Sequence, residues 1–457
     1  MRAVVAAALV VFLSGCLSGP APTALPKADR AARLVLASPQ SPRGGPTVLT
    51  AVDPDTLADS PAIEPLEAPP CTTRWVTQPA GEVAAAVSGV TGPRRCANAD
   101  PATLRILDLR AWAWRPSVNL TATTDALLAW SADGRSIFVL TATPAPPEER
   151  RLWLIDASGA AQATSVAIDF VPYRIDVSPG GSSVFVLGGQ TAGNARRGAA
   201  VQGSAFVAIF DPKTLAERIR VPLSGLSLGL AEAPQGSLSP GVAMAPDGSR
   251  YYVVHADRPV LDVVDTRAPR LERLERSVSL RDATAQVGTR QAWLGISPDG
   301  AALYVWHQAE TPADDLGMQV IDTRTWQVQT LDPIAQRIGF SLNGRWVFEL
   351  DPPAWSRPGA AARQQRGPRD LSGARLSVVD RVSRTEVATL LRDRLAYAPG
   401  QYGPDRLYLT EIDAAPGRGG PDSPTAALVA YDTTSWQEIA RRTLDAPAAL
   451  LTTTALW

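Results

Sequence analysis

Short runs of alternating apolar and polar residues recur along almost the whole chain, and each run stops at a turn. Alternation with a period of two is the signature of a β-strand with one buried face. Two landmarks mark the recurrence. In the first, a strand-like run ends in Asp, followed by a turn and often by Thr or Ser and then Leu or Trp. It is seen in "LTAVDPDTL" at Asp53, "LRILDLRAW" at Asp108, "LWLIDASG" at Asp156 and "VAIFDPKTL" at Asp211. It returns in "LDVVDTRAP" at Asp265, "MQVIDTRTW" at Asp322, "LSVVDRVSR" at Asp380 and "LVAYDTTSW" at Asp432. Neighbouring aspartates lie 48 to 58 residues apart. The second landmark falls between them: "WSADGRSIFVL", "VSPGGSSVFVL", "MAPDGSRYYVV", "ISPDGAALYVW", "FSLNGRWVFEL" and a degenerate "APGQYGPDRLYL". Each joins two strand-like runs through a tight turn whose Gly can take the positive φ that ends it.

A period of about 53 residues built from four short strands is the sequence form of a β-propeller blade. The chain is therefore expected to be all-β. Eight aspartates predict eight blades; seven is the alternative, because the second blade, about residues 71 to 118, lacks a clear Pro-Asp-Gly turn. With the strands of a blade lettered A to D in chain order, the first unit has B, C and D but no A. The chain's end, "PAALLTTTALW", supplies a strand that would complete the first blade, so that both termini share one sheet and no edge is left open. Trp326 and Trp436 are expected to fill gaps between blades, and the landmark aspartates to cap the C-to-D turn through nearby backbone amides. The repeats resemble the YVTN-type propeller repeats of bacterial surface and periplasmic proteins, which specifies fold far better than activity.

Composition supports this reading: 40 Pro and 35 Gly among 457 residues argue against long helices. Basic and acidic residues nearly cancel, at 44 and 45, so no footprint for nucleic acid is present. The N-terminus reads as an address. "MRAVVAAALVVFLSGCLSG" has one positive charge, an apolar run too short to span a bilayer, and small residues before Cys16. It resembles a bacterial lipoprotein signal with its lipobox, which implies cleavage before Cys16 and acylation of that residue. Residues 1–15 are then a signal peptide, 16–30 the lipidated cysteine and a flexible tether, and 31–457 one propeller domain. The protein is expected outside the cytoplasm, held on the cell membrane or the outer membrane by its acyl chains. Cys71 and Cys96, in an oxidising compartment, are expected to form a disulfide.

The two histidines of the chain, His255 and His307, each lie seven residues after a turn glycine; Asp351 holds the same position, and Glu411 aligns with it. These four form a candidate polar site on the face of the long B-to-C and D-to-A connections. Ring symmetry sets equivalents in neighbouring blades roughly 10 Å or more apart, too far to share one metal ion whose bonds are about 2 Å. No metal and no cofactor are expected, and nucleophile-elbow, phosphate-loop, zinc-protease and haem-attachment motifs are missing. The leading expectation is a monomeric, membrane-anchored propeller that binds a protein or small molecule through its long loops. The alternative is a propeller enzyme resembling lactonases or dehydrogenases, with polar groups at the mouth of the channel.

Overall fold

The computed structural model describes residues 34–455, apart from 40–46, 61–62, 70–71, 89–101, 121–124, 143–148, 160–162, 190–204, 225–239, 257, 268–271, 281–288, 310–317, 333–336, 352–372, 402–404, 414–425, 446–448 and 452–453. The expected signal and tether, Cys16, Cys71, Cys96 and most of the long loops lie outside the described residues.

Eight antiparallel sheets of four main strands form a ring, which makes the fold an eight-bladed β-propeller. Blades 3 to 6 run from Asp125–Trp130 to Val328–Asp332 in simple meanders. Blade 7 consists of Arg337–Phe340, Trp346–Asp351, Arg375–Asp380 and Glu386–Arg392, and blade 8 of Arg394–Gln401, Arg406–Asp413, Ala426–Asp432 and Glu438–Leu444. Blade 2 was the doubtful one. Its first turn is Gln78–Gly81, where the Gly81 amide donates to the Gln78 carbonyl and φ is +72°. Pro-Ala-Gly does there what Pro-Asp-Gly does elsewhere, because only the glycine is required by the backbone.

The ring closes as the termini predict. Blade 1 holds Leu34–Pro39, Thr47–Val52 and Leu66–Glu67, and its remaining strand is Ala449–Leu450, paired with Ala37 and Leu36. The tail then continues: Thr454–Ala455 adds a fifth strand to the free edge of Arg394–Gln401 in blade 8. Between these two attachments, Leu451 is buried, its amide donates to the Val35 carbonyl and its carbonyl accepts from the Thr77 hydroxyl. One short segment thus ties together blades 8, 1 and 2.

The C-to-D turns explain how blades lock to one another. In six of the eight, among the described residues, an aspartate Oδ1 accepts amides two and three residues on, as Asp322 does from Arg324 and Thr325 at 2.9 and 2.7 Å. The amide of the fourth residue then closes back on the aspartate carbonyl, as Trp326 N–H does to Asp322. That fourth residue is left with positive φ: Leu57, Trp112, Leu215, Trp326, Arg384 and Trp436 lie between +52° and +62°. Non-glycine residues rarely adopt this conformation. Here the aspartate cap fixes it, and the reward is packing. Leu57 and Leu215 are fully buried, and Trp436 meets Trp346 and Phe348 of blade 7 edge-on at 5.5 and 5.8 Å. Trp326 packs with the apolar cluster shared by blades 5 and 6, beneath the Arg276 guanidinium at 3.7 Å. The inner strands come just as close: a Cβ on Gly241 in blade 5 would lie 2.8 Å from the blade 6 backbone at Trp293 and Leu294.

Deleting residues 449–457 should leave blade 1 short of a strand and lower the thermal midpoint by many degrees, measurable by circular dichroism on the truncated chain. The turn aspartates fix the response to acid. Amides of the third residue hold the Asp53, Asp322, Asp380 and Asp432 carboxyls below their ordinary value, and the Arg267 side chain holds Asp265 at about 2. Carboxyls depressed in the folded chain add stability that is complete above the unfolded value of about 3.9 and is lost as pH falls toward 2. The urea midpoint should therefore fall between pH 4 and about 2, and more gently in Asp265→Asn.

Candidate functional site

The four residues at matching strand ends do not converge. His255 is buried in blade 5 beside Asp262, which is fully buried. Arg258 Nε–H donates to His255 Nδ1 at 3.1 Å. An arginine cannot accept, so Nδ1 carries the lone pair and the proton sits on Nε2, which donates to Asp262 Oδ2 at 2.9 Å. Ser224 adds its amide at 2.8 Å and its hydroxyl at 2.7 Å, and the Ser277 hydroxyl completes the set. Burial pushes the Asp262 carboxyl up, but the hydrogen bonds from His255, Ser277 and Ser224 outweigh it and hold it below its ordinary value. This closed network fastens the hairpin between the second and third strands of blade 5.

Glu411, in blade 8, has a side chain only 4 % exposed, held by Arg394 at 2.9 Å and by Arg441. Burial and the Arg394 charge lower the Arg441 guanidinium, which also pairs with Glu438. The backbone of His307 pairs with Ala292 in blade 6. Among the described residues no three His, Cys, Asp or Glu side chains come together as a metal site.

Asp351 has a different setting. It lines a cavity of about 370 Å³ in the wedge between blades 6 and 7. Tyr304 and Val320 form the blade 6 wall, and the blade 7 wall is built by cross-strand pairs, Val347 with Val379, Glu349 with Ser377 and Asp351 with Arg375. Because successive residues on a strand point to opposite faces, these alternate positions all face the same wedge. Arg381, Arg384 and Glu386 border it near the C-to-D turn.

The cavity has an identifiable cause. Arg384 occupies the positive-φ turn position, φ +56°, at which other blades carry Leu or Trp. The apolar plug seen in five other blades is replaced by a guanidinium, which reaches across to Gln329 Oε1 of blade 6 at 3.2 Å. Among the described residues that is its one side-chain hydrogen-bond partner, and none of their carboxylates pairs with it. Its neighbours are matched: Arg381 pairs with Asp299 at 2.8 Å, and Arg375 with Glu386. Burial pushes the Tyr304 phenol up, while the nearby Arg381 and Arg384 charges pull it down. The phenol therefore stays protonated at neutral pH and is available as a donor. Sequence reading singled out Asp351 but missed this cleft. The signal was present, since "DRVSR" ends in Arg where "DTRTW" and "DTTSW" end in Trp.

No protein-family model and no curated protein matches the chain. Among solved structures, the fold is similar to dihydro-heme d1 dehydrogenase NirN in complex with DHE, with a TM-score of 0.56 and 14% identity over 92% of this chain and 75% of that one. It is similar also to the Pseudomonas aeruginosa periplasmic gluconolactonase PpgL, with TM-score 0.48 and 15% identity over 79% and 95% of the two chains. A third is the β-propeller domain of Myceliophteria thermophila Cps50 (Swd1), with TM-score 0.39 and 14% identity over 81% and 95%. At such identities the likeness shows a shared propeller fold.

If the missing plug makes the cavity, Arg384→Trp should fill it. The turn accepts Trp at this conformation in Trp326 and Trp436. Stability should rise by about 1 kcal/mol, set by apolar burial against the loss of the Gln329 bond, and should be read as a higher urea midpoint.

Proposed function

We propose that the protein is a membrane-tethered, extracytoplasmic binding propeller that seats a small ligand in the wedge between blades 6 and 7. The carrying observation is Arg384: a charged residue in place of the sealing Leu or Trp opens a cavity of about 370 Å³. That volume falls within the range of about 300 to 1,000 Å³ usual for small-molecule sites. The lining is mostly polar and charged, with Tyr304, Ser377 and Arg384 among the groups that could orient a ligand, beside the three valines Val320, Val347 and Val379. The tether rests on the segment ending at Cys16, whose pattern supports acylation, and the long loops keep their place as a second contact surface in this reading.

The enzyme reading asks that at least three of His255, His307, Asp351 and Glu411, or an arginine with a carboxylate, converge on one point near the axis; of these, His255, Asp351 and Glu411 have described side chains. They sit in blades 5, 7 and 8, where His255 is engaged by Asp262 and Glu411 by Arg394, each within its own blade, and Asp351 is likewise not without a partner. Binding is therefore the reading that these side chains favour.

Thermal-shift measurements on the full-length chain, with a panel of amino acids, peptides, sugars and nucleotides, test this. At least one class should raise the midpoint of the wild-type chain and leave Arg384→Trp unmoved. Ligands that stabilise both equally would place binding elsewhere.

A further inference from the structure

Resting on that reading of the cleft, we infer that its ligand is a small aliphatic monocarboxylate, held by its carboxylate between Arg384 and Tyr304. Most of the charged lining is already committed. Glu349 and Asp351 have partners of their own. Glu386 is taken by Arg375 and by the Thr389 hydroxyl at 2.6 Å, Arg381 by Asp299 at 2.8 Å, and Asp380 by the amides of its own turn. These groups ask nothing of a ligand.

What remains uncommitted is a set of donors. Arg384 donates to the neutral Gln329 and meets no carboxylate among the described residues. Tyr304 and Ser377 are only 7 % and 2 % exposed, and neither hydroxyl has a hydrogen-bond partner among the described residues. Polar groups so deeply buried are ordinarily paired, and here the cavity stands where the partner belongs. A planar guanidinium fork and a protonated phenol are completed together by the two oxygens of a carboxylate.

The register of blade 6 sets these groups in order. Tyr304 lies opposite Val320 and Val320 opposite Gln329, so the three share one row across the sheet and face the same wedge. Gln329 draws Arg384 over one end of that row, and Tyr304 holds the other. Burial pushes the phenol up, while the Arg381 and Arg384 charges pull it down, an effect that falls with distance and so sets both guanidiniums near it. Val320 lies between, in one apolar cluster with Val347 and Val379 of blade 7. The apolar part of the ligand packs against these three side chains.

Charge fixes how many negative groups the ligand carries. One guanidinium lacks a counter-charge, so one carboxylate is matched. A second negative charge, as on phosphate or a dicarboxylate, would lie among the lining carboxylates with no cation of its own. An ammonium group finds no carboxylate left for it. The cavity of about 370 Å³ falls at the lower end of the range of about 300 to 1,000 Å³ for such sites, which keeps the ligand small.

Ligand-detected NMR titration of the full-length chain with isocaproate, its amide, leucine, succinate and inorganic phosphate tests the inference. The wild-type chain should bind isocaproate at least about ten-fold more tightly than each of the others. In Arg384→Gln the preference for acid over amide should shrink to within about two-fold, since both changes remove the same contact. Tyr304→Phe should weaken the acid by about two- to ten-fold, the worth of one hydrogen bond. Unchanged far-ultraviolet spectra and thermal midpoints in both variants would show that the fold is intact. Equal binding of acid and amide, tighter binding of leucine, succinate or phosphate, or an acid preference that survives in Arg384→Gln would overturn the inference. Isocaproate inert at millimolar concentration would overturn it too. The ligand seat would then stand if a compound of another class raised the thermal midpoint of the wild-type chain but not that of Arg384→Trp, and it falls if none does.

Discussion

A propeller blade cannot bury both of its faces alone; each twisted sheet is stable only against its neighbours. Between twisted sheets set around an axis the gap widens outward, and something must fill it. In this chain the filler comes from the C-to-D turn. An aspartate cap bends the backbone so that the fourth residue beyond it takes a positive φ, and that residue is driven sideways into the next wedge. The apolar clusters that join blade 5 to 6 and blade 7 to 8 include Trp326 and Trp436. Ring closure is the same constraint met at the chain's ends, where one strand from the tail completes blade 1 and a second lies along blade 8.

A fold held by repeated plugs offers an economical way to make a site. Exchanging one plug for a polar residue opens a wedge without disturbing the turn, because the aspartate cap, not the plug, fixes the backbone. Blade 7 does this at Arg384, and the same cap persists there: Asp380 accepts the amides of Val382 and Ser383 at 3.0 and 2.9 Å. Arg381 meanwhile ties that turn to Asp299 of blade 6, so the wedge stays open between walls that are fastened together.

Matching positions in neighbouring blades need not share a role. His255, Asp351 and Glu411 stand at equivalent strand ends, yet the first is sealed in a neutral network, the second borders the cleft and the third is clamped by two arginines. Backbone symmetry places them. What each does is set by whichever side chains its own blade brings near, and those differ from blade to blade.

Much of the architecture was legible along the chain. The landmark aspartates, their spacing and the unpaired strand at each end pointed to a ring of eight blades, with seven as the alternative, closed by its termini, because strand period, turn chemistry and capping are local and repeat. Gly81 escaped notice since Pro-Ala-Gly lacks the aspartate of its counterparts, although the backbone needs only the glycine. The second attachment of the tail, the network around His255 and the cleft behind Arg384 belong to the tertiary structure. Each depends on contacts between residues far apart in sequence: Thr454 with Gln401, Ser224 with Asp262, and Arg384 with Gln329. Those contacts are fixed by how twisted sheets meet around an axis, a geometry that no single repeat contains.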